Sequence, residues 1–73
     1  MNSQERLVYM ANQIARNLAT QPDEQAIATV ADHIKAFWDP RMKAMILADS
    51  GVGLMPVARA AVERLRAVQE QAL

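Results

Sequence analysis

The sequence predicts an all-α protein, a compact bundle of four helices with short connections, one of the helices being short. Apolar residues recur at spacings of three and four along most of the chain, which is the period of a helix with one buried side. Alanine, the residue with the highest helix propensity, is abundant, whereas only two glycines occur in 73 residues. Residues 1–73 are therefore predicted to form a single helical domain, in which short connections favour antiparallel neighbours.

The first two helices are predicted over about residues 3–19 and 22–37. Asn2 is a good N-cap for the first helix, and Glu5 three residues later completes a box-like pair. Pro22 suits the first position of the second helix, because its missing N–H has no partner to lose there. Asp23 favours the positive end of that helix. The predicted buried stripes are Leu7, Met10, Ala11, Ile14 and Leu18, and then Ile27, Val30, Ala31, Ile34, Phe37 and Trp38.

A corner is predicted at Asp39 and Pro40. Proline pushes the preceding residue out of the helical region, and aspartate is a good N-cap for a helix with proline at its first position. We therefore assign Asp39 and Pro40 a structural role at the corner, and Trp38 a structural role in closing the core. The short third helix is predicted over residues 40–48, and its inner face consists of Met42, Met45 and Ile46.

The last helix is predicted to begin at Pro56, after a loop that contains both glycines. Gly51 is expected to supply the left-handed residue that often ends a helix, and Leu54 is expected to pack against the core. Arg59 and Glu63, four residues apart, are predicted to pair across one turn. The predicted buried stripe consists of Ala58, Ala61, Leu65, Val68 and Ala72.

Composition argues against several classes of function. Eight basic residues balance eight acidic ones, whereas sequence-independent binding of nucleic acid needs a basic surface. The chain has no cysteine, which excludes disulfides and thiolate metal sites. The polar N-terminus lacks the apolar region of a signal peptide, and no stretch approaches the roughly 18 apolar residues of a membrane span. We therefore expect a soluble, cytoplasmic protein that binds neither nucleic acid nor membranes.

The residues offer little for catalysis. The glycines at 51 and 53 do not form a phosphate-binding loop, and Ser3 and Ser50 lie at predicted element ends, where capping or turn roles explain them. His33 is the only histidine, whereas a mononuclear zinc site needs three or four protein ligands. We assign no catalytic, cofactor-binding or metal-binding residue, and we predict that the chain is not an enzyme by itself.

The outer side of the first helix carries an unusual set of residues. On a helical wheel at about 100° per residue, Tyr9, Gln13 and Arg16 lie opposite the buried stripe, with Asn12 at their border. Tyrosine and arginine are enriched in the energetically important parts of protein interfaces. From these residues alone, a solvated face with one exposed tyrosine is the simpler interpretation.

Three segments together resemble one protein family. They are MANQIA at residues 10–15, His33-Ile34 followed by FWDPRM at residues 37–42, and Gly53-Leu54 with Pro56. In order and spacing they resemble the small delta subunit of NAD-dependent, molybdenum- or tungsten-containing formate dehydrogenases, over roughly residues 7–61. Met55 departs from the more polar residue expected in relatives.

The resemblance implies a cytoplasmic enzyme of several subunits. Its large catalytic subunit would carry bis-molybdopterin guanine dinucleotide with molybdenum or tungsten and would oxidise formate to carbon dioxide. Iron–sulfur clusters and FMN in other subunits would pass the electrons to NAD. The delta subunit is expected to bind none of these cofactors, but to bind the large subunit and support assembly, stability or cofactor loading.

The resemblance also favours an interface role for exposed residues. Arg41 is expected to point away from Met42 and Met45 and to form a charge-assisted bond with a partner carboxylate. The predicted partner-binding residues are Tyr9, Asn12, Gln13, Arg16, His33, Phe37 and Arg41.

Three alternative functions are kept. The chain would be a transient assembly chaperone for the same enzyme, an unrelated small helical regulator or DNA-binding protein, or a homodimer formed by apolar helix faces. A chain whose partner-facing surface is uncovered is also expected to self-associate in isolation.

Overall fold

The computed structural model describes residues 2–48 and 51–71, which form four helices and no strand. The predicted all-α architecture with a short third helix is confirmed. Ser50 and Ala72, for which the sequence predicts a turn role and a place in the last stripe, lie outside the described residues. The helices are α1 Ser3–Asn17, α2 Asp23–Phe37, α3 Pro40–Ala48 and α4 Pro56–Gln71.

Helix α1 begins as its capping residues predict. The backbone N–H of Glu5 donates to Oδ1 of Asn2 at 2.8 Å. The helix ends at Asn17, two residues earlier than predicted, because the N–H groups of Leu18 and Ala19 donate to carbonyls three residues back, which tightens the last turn. Its buried residues are Leu7, Ala11 and Ala15, with Val8, Met10, Ile14 and Leu18 partly buried.

Helix α2 begins one residue later than predicted. Pro22 has an extended backbone with φ −55° and ψ 145°, so it is the N-cap residue and its carbonyl accepts the N–H of Ala26 at 2.9 Å. At the other end, Phe37 is 76% exposed, so its predicted place in the buried stripe was wrong. The extended backbone of Trp38 turns that larger ring into the core instead, where it is 5% exposed.

The corner between α2 and α3 is confirmed. The backbone N–H of Met42 donates to Oδ1 of Asp39 at 2.8 Å, and Pro40 is the first residue of the helix. Ile46 is buried, and Met42 and Met45 are partly buried against the core, as predicted for the inner face.

Side chains from both neighbouring helices bind the carbonyl end of α3. Nε2 of Gln4 on α1 donates to the carbonyl of Met45 at 3.1 Å. Nε and Nη2 of Arg66 on α4 donate to the carbonyl of Leu47 at 3.1 and 2.9 Å. These bonds satisfy two of the carbonyl groups that a helix end leaves without partners.

The loop before α4 contains two left-handed glycines, Gly51 with φ 87° and Gly53 with φ 90°. The predicted ion pair between Arg59 and Glu63 was wrong, because Nη2 of Arg59 donates to the carbonyl of Gly51 at 3.0 Å. An ion pair of 2.6 Å joins Arg64 of α4 to Glu24 of α2 instead.

The buried side of α4 differs from the predicted stripe near the end of the helix. Ala58 and Ala61 are fully buried as predicted, and Val62, which the prediction omitted, is also buried. Val68 is 54% exposed and was wrongly assigned to the core, because it borders an open groove rather than a covering helix.

The core lies where α2 and α4 pack against each other most extensively, while α1 contacts all three other helices. Leu54 seals the end of the core before α4, as predicted, and is 6% exposed. The extents of the fold are 32 × 32 × 21 Å. Within the described residues, every helix is too short or too polar to cross a membrane.

Candidate partner-binding surface

The outer face of α1 presents the three residues that the helical wheel places there. Tyr9 is 50% exposed, and Gln13 and Arg16 are exposed. Nε2 of Gln13 donates to the hydroxyl of Tyr9 at 2.9 Å, which holds the two side chains together one turn apart. No carboxylate of the described residues lies within ion-pair distance of Arg16. The face therefore offers to solvent an oriented phenol and a guanidinium that has no ion pair with any described residue.

Asn12 uses both ends of its side-chain amide within the molecule. Its Nδ2 donates to the carbonyl of Gly53 at 2.9 Å, and its Oδ1 accepts the N–H of Met55 at 2.8 Å. Two of the segments that carry the family resemblance, around Asn12 and around Gly53, therefore contact each other. This role was not predicted from the sequence, although both segments carry the family resemblance, which was a signal that they could be in contact.

The Asn12 contact shapes a shallow cavity of about 520 Å³ between α1 and the loop. Val52 stands at its edge and is 76% exposed. The residues that line the cavity include Glu5, Val8, Tyr9, Asn12, Val52 and Gly53.

The last turn of α2 exposes a pair of rings. His33 and Phe37 are both exposed, and their ring centroids lie 4.9 Å apart with planes tilted by 42°. Offset and tilted ring pairs of this kind are favourable, so the two side chains hold each other in place. No group of three His, Asp or Glu residues that could hold a metal ion occurs among the described residues. The pair thus presents a phenyl ring and an imidazole side by side on the exposed side of α2.

Arg41 lies on the first turn of α3 and is exposed, without a carboxylate of the described residues at ion-pair distance. Its direction away from Met42 and Met45 stays a prediction, and all three residues line one groove. We name this the methionine groove; it lies between α1 and α3, has a volume of about 340 Å³, and is lined mainly by Arg6, Leu7, Met10, Arg41, Met42 and Met45.

Arg6 is a functional candidate that the sequence analysis missed. It is exposed, and it faces the methionine groove from the α1 side, one turn before Met10. On a helical wheel Arg6 and Met10 lie about 40° apart, so their shared side was visible in the sequence. The facing arginine on α3, by contrast, depends on how the two helices pack.

Comparison with known proteins decides the family. A family model described as the NADH-dependent formate dehydrogenase delta subunit, FdsD, matches residues 6–62. This chain belongs to that family. A search of curated proteins and a search of solved structures each gave no significant match.

The family match covers most of the features described above. The outer face of α1, the Asn12 contact, the aromatic pair of α2 and nearly all of the methionine groove lie within residues 6–62. The last turns of α4 lie outside it. They border a second apolar groove of about 330 Å³, which we name the lysine groove; its lining includes Lys35, Pro40, Lys43, Leu47, Leu65 and Val68.

Proposed function

We propose that this chain is a non-catalytic accessory subunit of a cytoplasmic NAD-dependent formate dehydrogenase. It binds the large, molybdopterin-containing catalytic subunit and supports the assembly, stability or cofactor loading of the complex. The observation that carries this proposal is the match of residues 6–62 to the delta-subunit family. The alternatives of an unrelated regulator or a DNA-binding protein have no comparable support.

The chemistry of the side chains supports a role without cofactors for this chain. Iron–sulfur clusters are held by cysteine thiolates, and the chain has no cysteine. The described residues also include no cluster of His, Asp and Glu for a metal ion. The chain therefore lacks the thiolate ligands of an iron–sulfur cluster, and we assign the redox groups of such a complex to its other subunits.

The exposed residues support a role in binding. Phe37 is 76% exposed, and a phenylalanine ring gains favourable free energy when a partner removes it from water. Its contact with His33 orders the ring before any partner arrives, which lowers the entropy lost on binding. We propose that this pair, the Tyr9–Gln13 pair and Arg16 contact the large subunit.

Asn12 takes part in a different way. Because its amide is already bonded to the loop at Gly53 and Met55, we propose that it positions the loop beside the binding face. The exposed side chain of Val52 is then presented at a fixed place next to Tyr9.

Affinity purification of the tagged chain from its native host tests the proposal. We expect stoichiometric recovery of the large subunit, molybdenum or tungsten in the eluate, and NAD-dependent oxidation of formate. Sub-stoichiometric recovery of a cofactor-poor large subunit would instead indicate a transient chaperone. Recovery of the chain alone under gentle conditions would overturn the proposal and leave the regulator and homodimer hypotheses.

A further inference from the structure

We propose that the methionine groove binds an acidic, apolar segment of the large catalytic subunit. In this arrangement a carboxylate of that segment pairs with Arg6 and Arg41, and an adjacent apolar side chain packs on Met10, Met42 and Met45. This inference rests on the proposed function, since it names the chemistry by which the chain recognises its partner.

The floor of the groove is suited to an apolar side chain. Met10, Met42 and Met45 are partly buried, so each packs against the core on one side and faces the groove on the other. Methionine is unbranched and flexible, and it adapts its shape to what it contacts. Removing a partner side chain and this floor from water together is favourable in proportion to the apolar area buried.

The rim of the groove is suited to a carboxylate. Arg6 stands on the α1 side and Arg41 on the α3 side, and neither has a carboxylate of the described residues within ion-pair distance. Guanidinium groups bind carboxylates through two parallel N–H bonds, which gives both strength and direction.

One acidic residue, Asp39, also borders the groove. Its Oδ1 already accepts the N–H of Met42, at the positive end of α3. Two guanidinium groups and one carboxylate leave the groove with a formal charge of +1. The sign favours an acidic segment over a basic one.

The lysine groove is a weaker candidate for the same role. Nζ of Lys43 already donates to the carbonyl of Lys35 at 3.1 Å, so one of its two cations is engaged within the chain. Part of its lining, including Leu65 and Val68, lies outside the matched residues 6–62. Lys35 therefore provides a matched site for a control substitution, because it is an exposed cation beside an apolar groove.

The test compares three charge reversals in the intact complex. The tagged chain carrying Arg6→Glu, Arg41→Glu or Lys35→Glu is purified from the native host, and the amount of large subunit retained is measured across a salt series. We expect Arg6→Glu and Arg41→Glu each to lower retention by about tenfold or more, because an interfacial charge then faces a like charge. Arg41→Lys should recover part of the loss, and Lys35→Glu should match the unmodified chain.

A cross-linking measurement identifies the occupant directly. The photoreactive residue p-benzoylphenylalanine replaces Ser3, an exposed residue of the groove lining that leaves both arginines in place, and mass spectrometry locates the cross-linked peptide. We expect a segment of the large subunit with Asp or Glu next to a large apolar residue. A cross-link to a second copy of this chain, or to a segment without a carboxylate, would overturn the inference.

The outcomes separate the two proposals. If the unmodified chain retains the large subunit and both arginine variants retain it equally well, the groove is not the binding site but the proposed function stands. If the unmodified chain retains no large subunit, both proposals fail. Circular dichroism of each purified variant should show unchanged helix content and an unchanged midpoint of unfolding, since both arginines are exposed.

Discussion

Asn12 and Gln13 are neighbouring amides on α1 with different surroundings. Asn12 is half-buried and bonded at both ends of its amide to the loop, whereas Gln13 is exposed and bonded only to the hydroxyl of Tyr9. A buried polar group that loses its partner costs more than an exposed one, because water replaces the bond only at the surface. The two residues should therefore respond differently to the same substitution.

We predict that Asn12→Ala lowers the free energy of unfolding by about 1 kcal/mol, since it leaves the partly buried N–H of Met55 without a partner, whereas water replaces the bond to the exposed carbonyl of Gly53. Gln13→Ala should change it by less than about 0.5 kcal/mol, as is usual for surface positions. Urea unfolding followed by circular dichroism measures both. Equal effects of the two substitutions would contradict the assignment.

Phe37 and Trp38 form a second matched pair of neighbours. Trp38→Ala should lower the free energy of unfolding by about 3–5 kcal/mol, because it empties a buried site of the core. Phe37→Ala removes a ring that is 76% exposed, so its effect on unfolding should stay within about 0.5 kcal/mol.

The same two variants separate stability from binding. Phe37→Ala should lower recovery of the large subunit in affinity purification while leaving the midpoint of thermal unfolding in place. A large loss of stability in Phe37→Ala, with binding intact, would show that the Phe37 ring packs in the core and does not contact the partner.

At the scale of elements, α3 depends on its neighbours. It has nine residues, whereas isolated helices shorter than about 12–15 residues are marginal in water. Asp39 caps its first turn, and Gln4 and Arg66 bind carbonyls near its end. Ile46 is buried in the core, and the burial of its apolar surface also stabilises the helix.

We predict that Asp39→Ala lowers the free energy of unfolding by about 1 kcal/mol, because the N–H of Met42 loses its cap. Asp39→Asn should restore most of this, since asparagine caps helices about as well as aspartate. Thermal unfolding of the three proteins provides the comparison. A loss as large in Asp39→Asn as in Asp39→Ala would mean that charge, rather than the capping bond, is what matters there.

The helices and the corner were predictable because their signals are local. Asn2, Asp39 and Pro40 act on the residues directly after them, and the stripes follow from the helical period. The contacts that the sequence did not reveal join distant parts of the chain, such as Asn12 with Gly53 or Arg59 with Gly51. The same distinction applies to the candidate binding surface. The aromatic pair and the α1 face were predictable because each lies on one helix, whereas the methionine groove exists only where α1 and α3 pack together.

At the scale of the whole molecule, size and charge favour association. The chain has a mass of 8.1 kDa and a formal net charge of zero, so copies do not repel each other through their overall charge. Phe37, Val52 and Val68 each expose more than half of their surface. Zero net charge and exposed apolar side chains both favour association with other protein chains.

We predict that the isolated chain self-associates as its concentration rises, because its partner-facing apolar residues are then covered by another copy. Sedimentation velocity should give a mass above 8.1 kDa at high concentration. Phe37→Ser should raise the protein concentration at which the monomer begins to self-associate. A monomer at every concentration would contradict the prediction.

The long separation between α1 and its polar partners has a consequence for synthesis on the ribosome. Gln4 binds the carbonyl of Met45, 41 residues later, and Asn12 binds that of Gly53, also 41 residues later. At about 5–20 residues per second, roughly two to eight seconds pass between making each residue and making its partner. Until residue 53 has been made, α1 lacks at least one of these two polar partners, so it completes its contacts with α3 and the loop only after most of the chain has been synthesised.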